Sequence, residues 1–137
     1  MSAGYSGTPL VRKLGVKPGH ALALLGAPPG WGIEDLPEGV LPRTRARGTF
    51  DVIVAFFGRR EEIERRLPVL LRVLRPDGGL WIAWPRRAGG HESDITEGAL
   101  REILLPTGLV DVKVAALDKD WSGLRFVWRR ELRAMLG

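Results

Sequence analysis

Short, uninterrupted apolar runs alternate with helical spacing along this chain. Ala21–Leu25, Phe50–Phe57 and Leu80–Trp84 are continuous, rich in β-branched and aromatic residues, and bounded by Gly or Pro. That is the pattern of strands buried on both faces, as in a parallel sheet covered by helices. Ile63, Leu67, Leu70, Leu71 and Leu74 fall on one face of a helix predicted over Glu61–Leu74. Pro68 lies inside that helix and is expected to kink it, because its ring blocks the bond to the Glu64 carbonyl. Thr8 as N-cap and Pro9 at the first helical position open a shorter helix carrying Leu10, Val11 and Leu14, which Gly15 ends. Asp94 with Glu97 has the spacing of a capping box opening a helix to Leu105. Leu109–Leu117 and Leu124–Glu131 are longer strands joined by the turn Asp118–Gly123. Between the first two strong strands the pattern is thin: Glu34–Leu36 offers one helical turn at most, and Val40–Arg47 a weak edge strand. Lys17–His20 and Pro76–Gly79 are turns, and Leu132–Gly137 is a frayed end or a short helix.

Strand–helix–strand order implies parallel strands with right-handed crossovers. Asp118–Gly123 is too short for a crossover, so the last strand must run antiparallel. It is expected between Leu80–Trp84 and Leu109–Leu117. This combination resembles the class I methyltransferase fold, whose last strand inserts antiparallel beside the fifth. LGVKPGHALALLGAPPG resembles the approach to that fold's first strand and glycine loop, and LRVLRPDGGLWIAW its fourth helix, turn and fifth strand. The resemblance covers about residues 9–131. It implies a three-layer, Rossmann-like α/β domain with a mostly parallel mixed sheet and one antiparallel strand from a C-terminal hairpin. One such domain is expected over residues 1–137.

Two features depart from that pattern. The usual loop has an acid before closely spaced glycines; here Leu25 precedes Gly26, and Pro28 and Pro29 follow, leaving Gly26, Gly30 and Gly32. The segment between the first and fourth strands of the fold is also reduced. The acid that ordinarily holds a ribose would fall at Arg45–Gly48, which contains no carboxylate. A longer match, spanning AGYSGTPLVRKLGVKPGH, FDVIVAFF, AWPRR and GLVDVKVAALDKDWSGLRFVWRREL, resembles a small bacterial family catalogued as a domain of unknown function. That resemblance implies a compact methyltransferase-like fold without assigning an activity.

Composition narrows the chemistry. The chain has 137 residues, 45% of them hydrophobic and 27% charged, which suits one globular domain. No apolar run approaches the roughly 20 residues of a membrane helix. MSAGYSGTPL lacks a basic stretch followed by an apolar core, so a cytoplasmic location is expected and no membrane partner. Cysteine is absent, which removes disulfides, thiolate metal sites and cysteine nucleophiles; His20 and His91 are too few for a histidine cage. No Ser-His-Asp spacing or phosphate loop is present. The net charge of +5 comes mainly from arginine, 17 of the 21 basic residues, and favours anionic partners through long-range attraction.

In open α/β sheets ligands bind outside the carboxyl ends of the parallel strands. That rule selects Gly26–Trp31, Phe57–Arg60, Trp84–Gly90 and the hairpin tip Asp118–Ser122. The candidate ligand-binding residues are Gly26, Gly30, Trp31, Arg59, Trp84, Arg86, Arg87 and Trp121, with Arg60, His91, Glu92, Ser93 and Asp94 nearby. Aromatic rings with arginines suit a flat anionic ligand, by stacking and bidentate bonding. Each also has a structural alternative: Trp31 as a core edge, Trp81 as core, Asp94 as an N-cap, His91 as a solvated loop residue, Asp118 and Asp120 as turn stabilisers. Arg59 and Arg60 open a helix, where the dipole disfavours cations unless Glu61, Glu62 and Glu64 offset them. Val110, Val112 and Val114 are expected on one face of the hairpin's edge strand, with Asp111 and Lys113 on the other. Three functions compete. The first is a non-catalytic binding or regulatory module that has lost the cofactor pocket and holds no cofactor. The second is a small S-adenosylmethionine-dependent methyltransferase, with Trp31 or Trp84 stacking the adenine. The third is a binder of a phosphate-bearing small molecule or nucleic acid through the arginine rim.

Overall fold

The computed structural model describes residues 8–87, 90 and 92–136, so His91 lies outside the described residues. The elements are α1 (Leu10–Leu14), β1 (Leu22–Leu25), β2 (Phe50–Phe56), α2 (Arg60–Val73), β3 (Leu74–Pro85), α3 (Glu97–Leu104), β4 (Leu109–Ala116), β5 (Trp121–Trp128) and α4 (Arg130–Leu136). They form an open five-stranded sheet in the order β1-β2-β3-β5-β4. β1, β2 and β3 are parallel, and β5 runs antiparallel to both β3 and β4. The antiparallel strand therefore sits between its two predicted neighbours. The hairpin is tight because Asp118 Oδ1 accepts from the backbone N–H groups of Asp120 and Trp121, each at 2.8 Å. Closing it so early starts β5 at Trp121 rather than Leu124.

Apolar side chains cover the sheet on both faces. One face carries Ile53, Ala55, Leu80, Ile82, Leu124 and Phe126 under α2 and α3. The other carries Val52, Val54, Phe56, Trp81 and Ala83 under α1 and the segment that follows β1. In α2, Ile63, Leu70 and Val73 are buried while Leu67 and Leu71 are half-buried. The buried stripe thus includes Val73, which the predicted set lacked. The helix is continuous across the exposed Pro68.

Four expectations change. The strand over Val40–Arg47 reduces to one parallel bridge, Ala23 to Arg43, with Leu24 N donating to Arg43 O at 2.8 Å and Arg43 N to Leu22 O at 2.9 Å. Glu34–Leu36 forms no helical turn, and Asp35 takes φ 59°. Pro76–Gly79 is an irregularity inside β3 rather than a turn: Phe50 pairs with Leu74 and Val52 with Gly79, so Asp51 alone opposes residues 75–78. Gly78 permits this, since a Cβ there would stand 2.9 Å from Asp51 O and 3.0 Å from Phe50 O. Both helix starts also shift. Pro9 is extended and precedes α1, and Thr96 caps α3 by accepting from Ala99 N at 3.1 Å.

The face alternation predicted for β4 is broken by a bulge. Asp111 pairs with Phe126 and Lys113 with Arg125, leaving Val112 as the extra residue. Asp111 and Val114 consequently share the face of α3, where Asp111 accepts from Arg101 Nε at 3.0 Å. The Asp111 hydrogen bond and charge raise the Arg101 guanidinium above its usual pKa. Lys113 turns to the α1 face.

Candidate functional site

The carboxyl ends of β1, β2 and β3 bring the predicted residues to one end of the sheet but divide them among three places. Gly26 leaves β1 at φ 72°, and a Cβ there would meet Phe56 O at 3.1 Å. Only glycine takes this close, left-handed path without strain. The chain then crosses the sheet end and lays Trp31 edge-to-face on Phe56, with ring centroids 4.7 Å apart; Phe56 makes the same kind of contact with Trp121 at 5.0 Å. Trp31 Nε1 donates to Asp118 Oδ2 at 2.9 Å. Arg86 joins from β3, donating from its backbone N to Asp120 O at 2.8 Å and from Nη1 to Asp118 O at 3.1 Å. Trp31 and Trp121 thus share Phe56, both meet Arg86 at Asp118, and the three together tie the hairpin tip to the first loop. Gly30 lies on that loop at φ 79°.

Trp84 lies on the opposite face, 8% exposed, beneath α2 and α3, whereas Trp81 is fully buried beneath α1. The two tryptophans therefore occupy different layers, as their odd spacing in one strand requires. Trp84, Arg87, Ser93 and Glu97 line a shallow cavity of about 350 Å³. Ser93 Oγ donates to Gly58 O at 2.8 Å and fastens this loop to the start of α2.

At that start, Arg59 is exposed and Arg60 Nη2 donates to Glu102 at 3.1 Å. Glu62 Oε1 accepts from the backbone N–H groups of Gly58 (3.1 Å) and Arg59 (3.0 Å), and Asp94 Oδ1 accepts from Arg60 N at 2.9 Å. Two carboxylates at the positive end of the helix offset the unfavourable placement of the arginines.

The third place is a cleft of about 350 Å³ on the α2 side of Gly26. Leu25, Ala55, Phe57 and Leu70 form its apolar floor, and Thr44, Arg65 and Arg66 its exposed walls. It stays open because no helix is inserted between β1 and β2 to cover it. Glu62 is the lining carboxylate, and its Oε1 is taken up by the helix start. Among the described residues neither Arg65 nor Arg66 forms an ion pair. Sequence reasoning missed Arg65, Arg66 and Thr44. An Arg pair one turn after a run of acids looks like a solvated helix face, and Thr44 acquires a position only through the bridge at Arg43. Phosphate or carboxylate on the arginines, with an apolar or planar body on the floor, is what this arrangement can hold. Among the described residues no group of three or more His, Asp or Glu is placed to hold a metal ion.

The chain has a Rossmann-like, methyltransferase-like fold, and solved structures share it. A SAM-dependent methyltransferase from Aquifex aeolicus superposes with a TM-score of 0.61 at 17% identity, covering 85% of this chain and 86% of that one. The Methanococcus jannaschii fibrillarin pre-rRNA processing protein gives 0.57 at 18% identity, over 91% of this chain and 70% of its own. The CcbJ methyltransferase from Streptomyces caelestis gives 0.54 at 11% identity, over 87% and 86%. No model of a protein family and no curated protein matches the chain. Similarity at these identities establishes the fold and leaves function to the site.

Proposed function

We propose that this protein is a non-catalytic, methyltransferase-like binding module that takes a phosphate-bearing small molecule in the cleft beside Gly26. The observation that carries this reading is the pair Arg65 and Arg66 on the wall of a carboxyl-end cleft whose lining carboxylate, Glu62, is engaged with the start of α2. The class I resemblance implies a free acid at this end to hold a ribose; here the walls offer cations. A charge-assisted bond from each guanidinium would add about 1.5–3 kcal/mol when partly desolvated. The resemblance to the small bacterial family agrees with a compact fold of this kind. No helix among the described residues is long and apolar enough to cross a membrane.

A second reading, a SAM-dependent methyltransferase with an altered pocket, draws support from the shared fold and from the position of the cleft beside the glycine turn. Isothermal titration separates the two. We expect adenosine 5′-monophosphate to bind, and affinity to fall at least tenfold in the Arg65→Gln/Arg66→Gln variant. We expect S-adenosylmethionine and S-adenosylhomocysteine to show no low-micromolar binding. Low-micromolar affinity for either would overturn the non-catalytic reading in favour of the enzyme. Unchanged nucleotide affinity in the double variant would remove the cleft as the site.

A further inference from the structure

We propose a second anion site, at the opposite end of the sheet, that takes a small phosphate or pyrophosphate group between Arg12, Lys113 and Arg125. It is independent of the rim cleft. A cavity of about 440 Å³ opens there on the α1 face, at the amino ends of β1 and β2. Arg12, Lys13 and Leu14 of the short α1 form one wall, and Asp77, within the register irregularity of β3, lies on another.

Five cations line the cavity: Arg12, Lys13, Lys17, Lys113 and Arg125. Against them stand Asp51 and Asp77. Asp51 is already engaged, with Oδ2 accepting from Ala21 N at 2.8 Å and Oδ1 facing Arg75 Nη1 at 3.5 Å. His20, also on the wall, accepts from Lys17 N at Nδ1, which leaves Nε2 as its donor.

Arg125 makes the cavity more than a charged surface. Its guanidinium lies across Gly79, where even a Cβ would come within 2.5 Å of Nε and 2.8 Å of Nη2. The glycine is what lets the guanidinium lie flat on β3. Nε is buried there without a hydrogen-bond partner, and among the described residues Arg125 forms no ion pair. A buried, unmatched guanidinium donor is costly, and an acceptor anion would satisfy it. The bulge at Val112 turns Lys113 to the same face, directly across from Arg125. Burial and then the Arg133 charge lower the Arg125 pKa; burial, then Lys113 and Arg86, lower that of Lys13. Both shifts have burial as their first cause and neighbouring cations as the next, as clustered positive charge in a partly enclosed site should give.

The test is titration of the full chain with inorganic pyrophosphate, read by calorimetry and by amide chemical shifts. We expect saturable binding, shifts concentrated at residues 12–20, 77–79, 113 and 125, and at least a tenfold loss in Arg12→Gln/Lys113→Gln, two surface changes that spare the core. Arg125→Lys should lose affinity to a similar degree, since lysine keeps the charge and lacks the Nε donor. Arg65→Gln/Arg66→Gln should leave pyrophosphate affinity unchanged, which separates failure at this site from failure at the rim. Chloride at equal ionic strength matching the effect of pyrophosphate, or equal affinity in the wild type and Arg12→Gln/Lys113→Gln, would overturn the proposal.

Discussion

Asp94 Oδ1 accepts the backbone N–H of Arg60 at 2.9 Å, across 34 residues of chain, and so caps α2 from the loop that leads into α3. Local reading assigned Asp94 to the helix it precedes, because Asp followed by Glu at the third position is a capping signature. Thr96 performs that task instead. Asp94 and Ser93 together pin the loop after β3 to residues 58–60. Asp94→Ala should therefore destabilise the protein by about 0.5–2 kcal/mol, as the loss of an ordinary cap does. Amide exchange should quicken at Arg60 while Ala99 stays protected. If Ala99 loses protection and Arg60 keeps it, the long-range cap is wrong.

Leu70 of α2 is fully buried against the sheet, while Leu71 beside it is half-buried at the edge of the same stripe. Leu70→Ala should cost about 2–5 kcal/mol, within the range for large-to-small changes in a packed core. Leu71→Ala should cost clearly less. Urea unfolding of the two variants checks the order, and equal losses would mean that the stripe is centred between them.

How much of this was legible follows from the range of the forces involved. FDVIVAFF and LWIAW carry their own burial pattern, so β2 and the heart of β3 could be read residue by residue. The antiparallel strand followed from a connection too short for a crossover. What failed depended on distant partners. The bulge at Val112 sends Asp111 and Lys113, which simple alternation would keep together, to opposite faces, and nothing within β4 announces it. The thin pattern after β1 was legible, but that leaving this place uncovered opens a cleft walled by Arg65 and Arg66 depends on how α2 packs across it. Trp31, Arg86 and Trp121 were correctly placed at one end of the sheet, but their mutual contacts run through Asp118, which looked like a turn residue alone and is also the acceptor for Trp31.

Lys13 links pH to stability. Its pKa is lowered in the fold by burial, then by Lys113 and Arg86, from the ordinary value of 10.5. Between the lowered value and 10.5 the unfolded chain binds more protons than the folded one, so stability should rise with pH across that window. Below it, both states are protonated and the unfavourable contribution is constant. Lys13→Met should flatten the rise in urea midpoint on the alkaline side. A wild-type midpoint that falls as steeply as that of the variant over the same window would contradict the assignment.

Gly26 and Gly30 share a loop and a left-handed backbone, at φ 72° and 79°, and they differ in what surrounds them. At Gly30 a Cβ would meet nothing within 4 Å, so Gly30→Ala carries only the conformational cost, about 1–2 kcal/mol. At Gly26 the Cβ would stand 3.1 Å from Phe56 O. That carbonyl belongs to the strand end on which Trp31 and Trp121 rest their rings, so it can yield only by disturbing the aromatic contacts. Gly26→Ala should therefore cost more than Gly30→Ala and should also change tryptophan fluorescence, which Gly30→Ala should leave unaltered. Because Gly26 also borders the rim cleft, the same substitution should weaken adenosine 5′-monophosphate binding, while Gly30→Ala should not. Equal stability losses, with the same fluorescence in both variants, would show that backbone conformation alone explains the glycine at position 26.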